Sequence, residues 1–169
     1  MKKILIVCCV AISMLSFYSC QKKKDAAMER EEQIAIFRSQ LTQEDSVQVL
    51  RLCDDAMEQL KQRNIDQVIA SLYEYVDSTK AVNPLSKATM KAYRTKFEMF
   101  PVLEYQRKYF SFQLEGCNDV KYEVVFATAE QTGTGEPAKT AFMFNPVKVD
   151  GTWKLCVKSV DDKIDTDKI

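Results

Sequence analysis

The chain has 169 residues, with 24 basic and 24 acidic side chains that cancel to a formal net charge of zero. That balance creates no broad field of one sign and argues against general nucleic-acid binding. Histidine is absent, which removes histidine-based triads, histidine proton shuttles and nearly all zinc sites.

Lys2 and Lys3 open the chain, and Ile4 to Tyr18 follow without a charge. An apolar run of that length falls short of the roughly 20 residues a membrane span needs and has the proportions of a signal-peptide core. It ends at Phe17-Tyr18-Ser19-Cys20, and the polar Gln21-Lys22-Lys23-Lys24 comes next. A small residue before a cysteine at the end of an apolar run resembles the lipobox of bacterial lipoproteins, in the looser form seen in Bacteroidota. The resemblance implies that residues 1–19 are removed and that Cys20 is lipidated on its sulfur and its amine, an anchor of two or more acyl chains. Gln21 is not the retention aspartate of enterobacterial lipoproteins, and Lys22 to Lys24 are not an acidic surface-export signal. The implied location is the periplasmic leaflet of the outer membrane. Removing residues 1–19 leaves 150 residues, enough for one self-sufficient core, with 22 basic and 24 acidic side chains.

Of the six cysteines, Cys8 and Cys9 leave with the signal and Cys20 carries lipid. Cys53, Cys117 and Cys156 remain, which allows one intramolecular disulfide at most. Cys53 and Cys156 read as small packing residues. There is no C-x-x-C and no Gly-rich phosphate loop or calcium-loop pattern, so no cofactor or metal is expected.

Residues 20–44 read as a lipidated tether that turns helical, with Ile34, Phe37 and Leu41 at helical spacing. Thr42 or Asp45 caps a stronger helix whose apolar face is Val49, Cys53, Ala56, Met57 and Leu60. Asp54, Asp55, Glu58 and Lys61 lie mainly off that face and read as solvated. After Gln62-Arg63-Asn64, the stripe Ile65, Val68, Ile69, Leu72 and Val76 predicts a second helix, ended by Asn83-Pro84. Ser86 caps a third, carrying Met90, Tyr93 and Phe97 and stopping before Pro101.

Beyond Pro101 the period becomes two. Val102 to Leu114 reads as a long strand with Tyr105 and Tyr109 on one parity and Phe110, Phe112 and Leu114 on the other. That phase switch predicts a bulge near Tyr109. Residues 115–119 are a turn, and Val120, Tyr122, Val124 and Phe126 alternate in a second strand. Residues 132–137 are a loop. Ala138 to Val149 is a third strand disturbed by Asn145-Pro146. Asp150-Gly151 is a hairpin turn. Thr152 to Val160 is a fourth strand, with Trp153, Leu155 and Val157 on one face. Residues 161–169 are a polar tail.

Two or three helices followed by an antiparallel meander resemble the nuclear transport factor 2-like (cystatin-like) fold. The turn at Ala56 to Asp66 and the closing hairpin from Val149 to Leu155 carry the resemblance, although Arg63-Asn64 stands where that superfamily has glycine in the turn. The implied class is α+β: N-terminal helices packed on a curved four-stranded antiparallel sheet, over residues 45–160. The cone-like fold implies a pocket between sheet and helices, for which Tyr73, Tyr93, Tyr105, Tyr109, Phe112 and Trp153 are candidate lining residues, with Phe142 and Phe144. The leading expectation is a non-catalytic module for a small apolar ligand or an envelope protein. The alternative, implied by ketosteroid isomerase in the same superfamily, is an enzyme with Glu104 or Glu123 as base and Tyr105 or Tyr122 as donor. Glu123 shares its parity with Val125 and Ala127, which points it to solvent. A homodimer through the sheet is the third expectation, because strand three alternates Phe142 and Phe144 with Ala141 and Met143. No residue is assigned a catalytic role.

Overall fold

The computed structural model describes residues 28–113 and 118–161. The signal segment, Cys20, Cys117 and the tail beyond Asp161 lie outside them. The chain divides into two compact units, Met1–Gln40 and Leu41–Ile169. In the first, residues 28–40 form helix α1. Among the described residues no helix is long and apolar enough to cross a membrane.

The second unit begins with α2 (Gln43–Lys61). Thr42 is its N-cap in a reciprocal capping box: the Asp45 N–H donates to Thr42 Oγ1, and the Thr42 N–H donates to the Asp45 carboxylate. Val49, Cys53, Ala56, Met57 and Leu60 are buried, as their spacing predicts. The helix ends where Arg63 takes a φ of 66°.

Next come α3 (Ile65–Ser71), β1 (Tyr73–Val76) and β2 (Ala81–Pro84). The predicted helix through Val76 is therefore corrected to a seven-residue helix and a strand. Ser71 Oγ donates back to the Val68 carbonyl, and the Tyr73 N–H donates to the Leu155 carbonyl at 2.9 Å. A strand partner from far along the chain outcompetes helical continuation at the β-prone Tyr73-Glu74-Tyr75-Val76. Asn83-Pro84 belongs to β2 rather than ending a helix. β2 is the edge of its sheet, where proline's missing N–H is tolerated.

In α4 (Lys87–Met99) the Thr89 N–H donates to the Ser86 hydroxyl, the expected cap. Its buried residues are Thr89 and Phe97, whereas Met90 is exposed, a one-residue correction of the predicted face. Thr89 turns inward because its hydroxyl accepts from the Val160 N–H and the Ser86 hydroxyl.

The predicted single four-stranded sheet is replaced by three small ones. β2-β1-β8 pairs β1 in parallel with β8 (Cys156–Lys158). β3 (Glu104–Ser111), β4 (Asp119–Ala127) and β5 (Ala138–Phe144) form an antiparallel meander. β6 (Val147–Val149) and β7 (Thr152–Lys154) form a hairpin. The predicted third and fourth strands are each broken, at Asn145-Pro146 and at Leu155. The Asn145 N–H donates to the Cys156 carbonyl at 2.7 Å and ties the two breaks together. The short helix α5 (Ala129–Thr132) precedes the predicted loop. Asp150 and Gly151 both have positive φ, 48° and 77°, the pattern of a type I′ turn.

The register slips between Arg107 and Tyr109, which is the predicted bulge. Arg107 shares a rung with Tyr122 and Phe142, and Phe110 shares one with Val120 and Phe144. Tyr122, Phe142, Val120 and Phe144 are buried, so Tyr105, Arg107 and Phe110 stand on the core side and Tyr109 on the outer side. Cys53 and Cys156 are free and buried, in line with a packing role.

Candidate functional site

The polar cluster with most chemistry lies where α2 meets the core side of β3 and β4. Tyr122 is fully buried, and a buried phenol needs an acceptor. Its hydroxyl donates to Asp54 Oδ1 at 2.6 Å. Arg107, on the same rung, donates to Asp54 Oδ2 at 3.1 Å. One helix turn on, Glu58 accepts from the Tyr105 hydroxyl at 3.4 Å. The Tyr105 and Tyr122 rings meet edge to face, centroids 5.9 Å apart.

Burial, reinforced by the hydrogen bond to Asp54, pushes the Tyr122 hydroxyl far above the ordinary phenol range. Burial and then the negative charge of Glu58 push Tyr105 the same way. Both phenols stay protonated and serve as donors. β3 is the sheet edge, so the cluster opens to solvent on that side, with the Asp54 side chain 42% exposed.

A second carboxylate, Asp45, is sealed beneath the β6-β7 hairpin. Lys148 Nζ donates to its Oδ1 at 2.6 Å and Trp153 Nε1 at 2.9 Å. These bonds, with the one from the Thr42 N–H, hold its carboxyl well below the usual carboxylate range. The third, Glu74, is buried on β1 and accepts from the Ser86 N–H at the start of α4 at 3.1 Å. Burial raises its pKa, but hydrogen bonds from Thr89 and Ser86 outweigh that and leave it below the ordinary value. Asp45 and Glu74 tie elements together.

The aromatic residues expected to line one pocket make the following contacts. Tyr105 joins the Asp54 cluster. Phe112 lies between Phe110 and the Trp153 ring, centroids 5.5 and 6.5 Å away. Tyr93 packs with Phe97, which meets Phe142 edge to face. Tyr73 packs on the cluster of Tyr75, Val147 and Cys156. Tyr109 points outward, its hydroxyl 3.5 Å from Asp119. Glu104 pairs with Val125, and Glu123 with Ala141, on the outer side. Glu123 is bridged by Lys108 and Lys139, each at 3.2 Å. Ala141 and Met143 are exposed on that side too, whereas Phe142 and Phe144 face the core.

Asp54 is the correction that matters most here, since its place off the apolar face had marked it as solvated. Asp54, Glu58 and Arg107 were missed as a cluster. Tyr122 at inward parity was the available signal, because it demands a partner on the facing helix. Among the described residues no group of three His, Cys, Asp or Glu side chains is placed to hold a metal ion.

No family model matches the chain, and no curated protein matches it. A crystal structure described as an NTF2-like transpeptidase from Campylobacter jejuni is similar to it at a TM-score of 0.37 and 13% identity, over 64% of this chain and 96% of that one.

Proposed function

We propose that this chain is a lipid-anchored protein of the bacterial outer membrane, facing the periplasm. Its nuclear transport factor 2-like domain acts as a non-catalytic module that binds a small apolar ligand or an envelope protein. The anchor rests on Ser19-Cys20 at the end of the uncharged run. The non-catalytic part of the reading rests on one observation: the phenols at the core-side cluster are already engaged by this chain's own carboxylates, Tyr122 by Asp54 and Tyr105 by Glu58. A phenol that stabilises a developing oxyanion has to offer its proton to the substrate. The isomerase-like alternative also loses support from its proposed bases, since Glu104 and Glu123 stand on the outer side.

Native mass spectrometry of the full chain, released from bacterial membranes in mild detergent, tests both halves. The expected species lacks residues 1–19, carries acyl chains on Cys20 and retains a ligand or a second protein that leaves on denaturation. An uncleaved chain with an unmodified Cys20 overturns the anchor. A bare chain overturns the binding module, and so does conjugation of a β,γ-unsaturated ketone by the same preparation, read by ultraviolet absorbance.

A further inference from the structure

One end of the β3-β4-β5 meander carries exposed apolar side chains on both faces. Tyr109 and Phe110 are neighbours near the end of β3, on opposite sides of the sheet, and are 44% and 49% exposed. Met143, on the same rung as Tyr109 through Lys121, is exposed as well. Phe110 stands on the core side, where its rung partners Val120 and Phe144 are sealed, so the elements that cover them leave this end of β3 bare. Its ring lies 5.5 Å from that of Phe112. Single exposed apolar residues are normal, but neighbouring ones mark a contact surface.

The same end is where the chain from Cys20 arrives. α2 runs antiparallel to β3: Glu58 meets Tyr105, Asp54 meets Arg107, and Asp45 meets Trp153, whose ring is 6.5 Å from that of Phe112. The start of α2 therefore lies beside the Phe110 end of β3. Val47, about two turns before Asp54 on the same helix face, is 59% exposed there. The second unit begins at Leu41. With residues 28–40 helical, the chain from Cys20 to Leu41 spans about 50 Å at most. A lipid on Cys20 thus keeps this end of the domain within reach of a bilayer, at an effective concentration that a dissolved partner lacks.

We propose that this end of the domain, with Val47, Tyr109, Phe110 and Met143, is a docking surface for the bilayer that holds the Cys20 lipid. The rings and methyl groups enter the boundary between headgroups and acyl chains, and the anchor makes a contact that is weak alone sufficient. Lys148 beside the surface is already paired with Asp45, so docking draws on apolar burial and a zwitterionic bilayer suffices. The surface rests on reading Cys20 as the lipid anchor and adds to it the face that the domain turns to the membrane.

The test uses the lipidated full chain, released from bacterial membranes and reconstituted in phosphatidylcholine vesicles whose acyl chains carry bromine, a contact quencher of indole fluorescence. Phe110→Trp puts an indole in the surface. Met99→Trp is the control, because Met99 is exposed at the other end of the meander: the next residue, Phe100, packs on Phe126, near the end of β4 that pairs with Glu104. Trp153 is the chain's one natural tryptophan, and wild-type emission is subtracted from each variant. Side chains docked at the boundary sit about 5–10 Å deep, so the Phe110→Trp indole is expected to lose about half of its emission or more to bromine, and the Met99→Trp indole about a tenth or less. Tyr109→Trp replaces Phe110→Trp if that variant fails to fold. No quenching, or equal quenching at both ends, in a chain that floats with the vesicles overturns the docking surface and leaves the anchor standing. An unquenched surface in a chain that runs as a dimer or with a second protein overturns it in favour of that occupant. A chain that does not float with the vesicles overturns the anchor and the docking surface together.

Discussion

Asp45 is the residue whose loss is best worked out from the structure. Replacing it with alanine removes the acceptor for the Trp153 indole N–H, in a residue only 8% exposed. An orphaned buried donor costs about 1–3 kcal/mol. The same change removes the half of the capping box that accepts the Thr42 N–H, worth about 0.5–1 kcal/mol. It also frees Lys148, which reaches water at a cost of about 0.5–1 kcal/mol. The total is about 2–5 kcal/mol, or a fall of about 7–18 °C in Tm for a domain of this size. Asp45→Asn keeps one acceptor oxygen and is expected to cost about half as much. It also isolates the charge. Lys148, the Thr42 N–H and the Trp153 N–H favour the ionised carboxyl and hold its folded-state pKa well below the ordinary value. The stability this contributes is complete above the unfolded pKa of about 3.9 and is lost as pH falls below it. Linkage puts the loss at about 1.2 kcal/mol between about pH 5 and pH 3. Urea unfolding at the two pH values should show the wild type losing that much more than Asp45→Asn. Equal losses, or an alanine variant costing under about 1 kcal/mol, would refute the assignment of Asp45 as the tie between α2 and the hairpin.

Two further outcomes follow from the same kind of reasoning. Asp54→Ala strands the buried Tyr122 hydroxyl and should cost about 1–3 kcal/mol, whereas Tyr122→Phe leaves Asp54 with Arg107 and water and should cost about 1 kcal/mol or less. The reverse order in urea unfolding would show that Asp54 is not the phenol's partner in solution. Arg63→Gly should raise stability by about 0.5–1 kcal/mol, because arginine at a φ of 66° carries a left-handed penalty that glycine lacks. A thermal midpoint that stays level or falls would sink that account.

What could be read from the residues was whatever local chemistry decides. Thr42 and Ser86 announced themselves as caps because the orphan N–H groups at a helix start need an oxygen nearby. The bulge in β3 was legible because apolar parity cannot switch along a regular strand. Asp150-Gly151 was legible because both positions need positive φ. The turn after α2 was legible in outline, and the structure supplies the strain: Arg63 occupies the left-handed position where the resemblance led one to look for glycine. What failed was decided at long range. Leu72 and Val76 continue the helical stripe of Ile65, Val68 and Ile69, and nothing local says that Cys156 to Lys158 will claim Tyr73 to Tyr75 as a parallel partner. The division of one expected sheet into three has the same origin. Asn145-Pro146 marks a disturbance, but only the bond from Asn145 to Cys156 turns it into a break matched at Leu155.

The candidate site was less legible than the fold, for a reason that bears on function. Asp54 and Tyr122 are 68 residues apart, and Arg107 and Asp54 are 53 apart. Periodicity sorts residues into inward and outward but says nothing about which inward residues from different elements meet. A carboxylate one position off an apolar helix face looks solvated by that rule. It becomes an internal partner only because a tyrosine stands opposite, among valines that cannot serve it. At Asp54 the donors and acceptors of this chain satisfy one another, which makes that cluster a structural tie with an open edge.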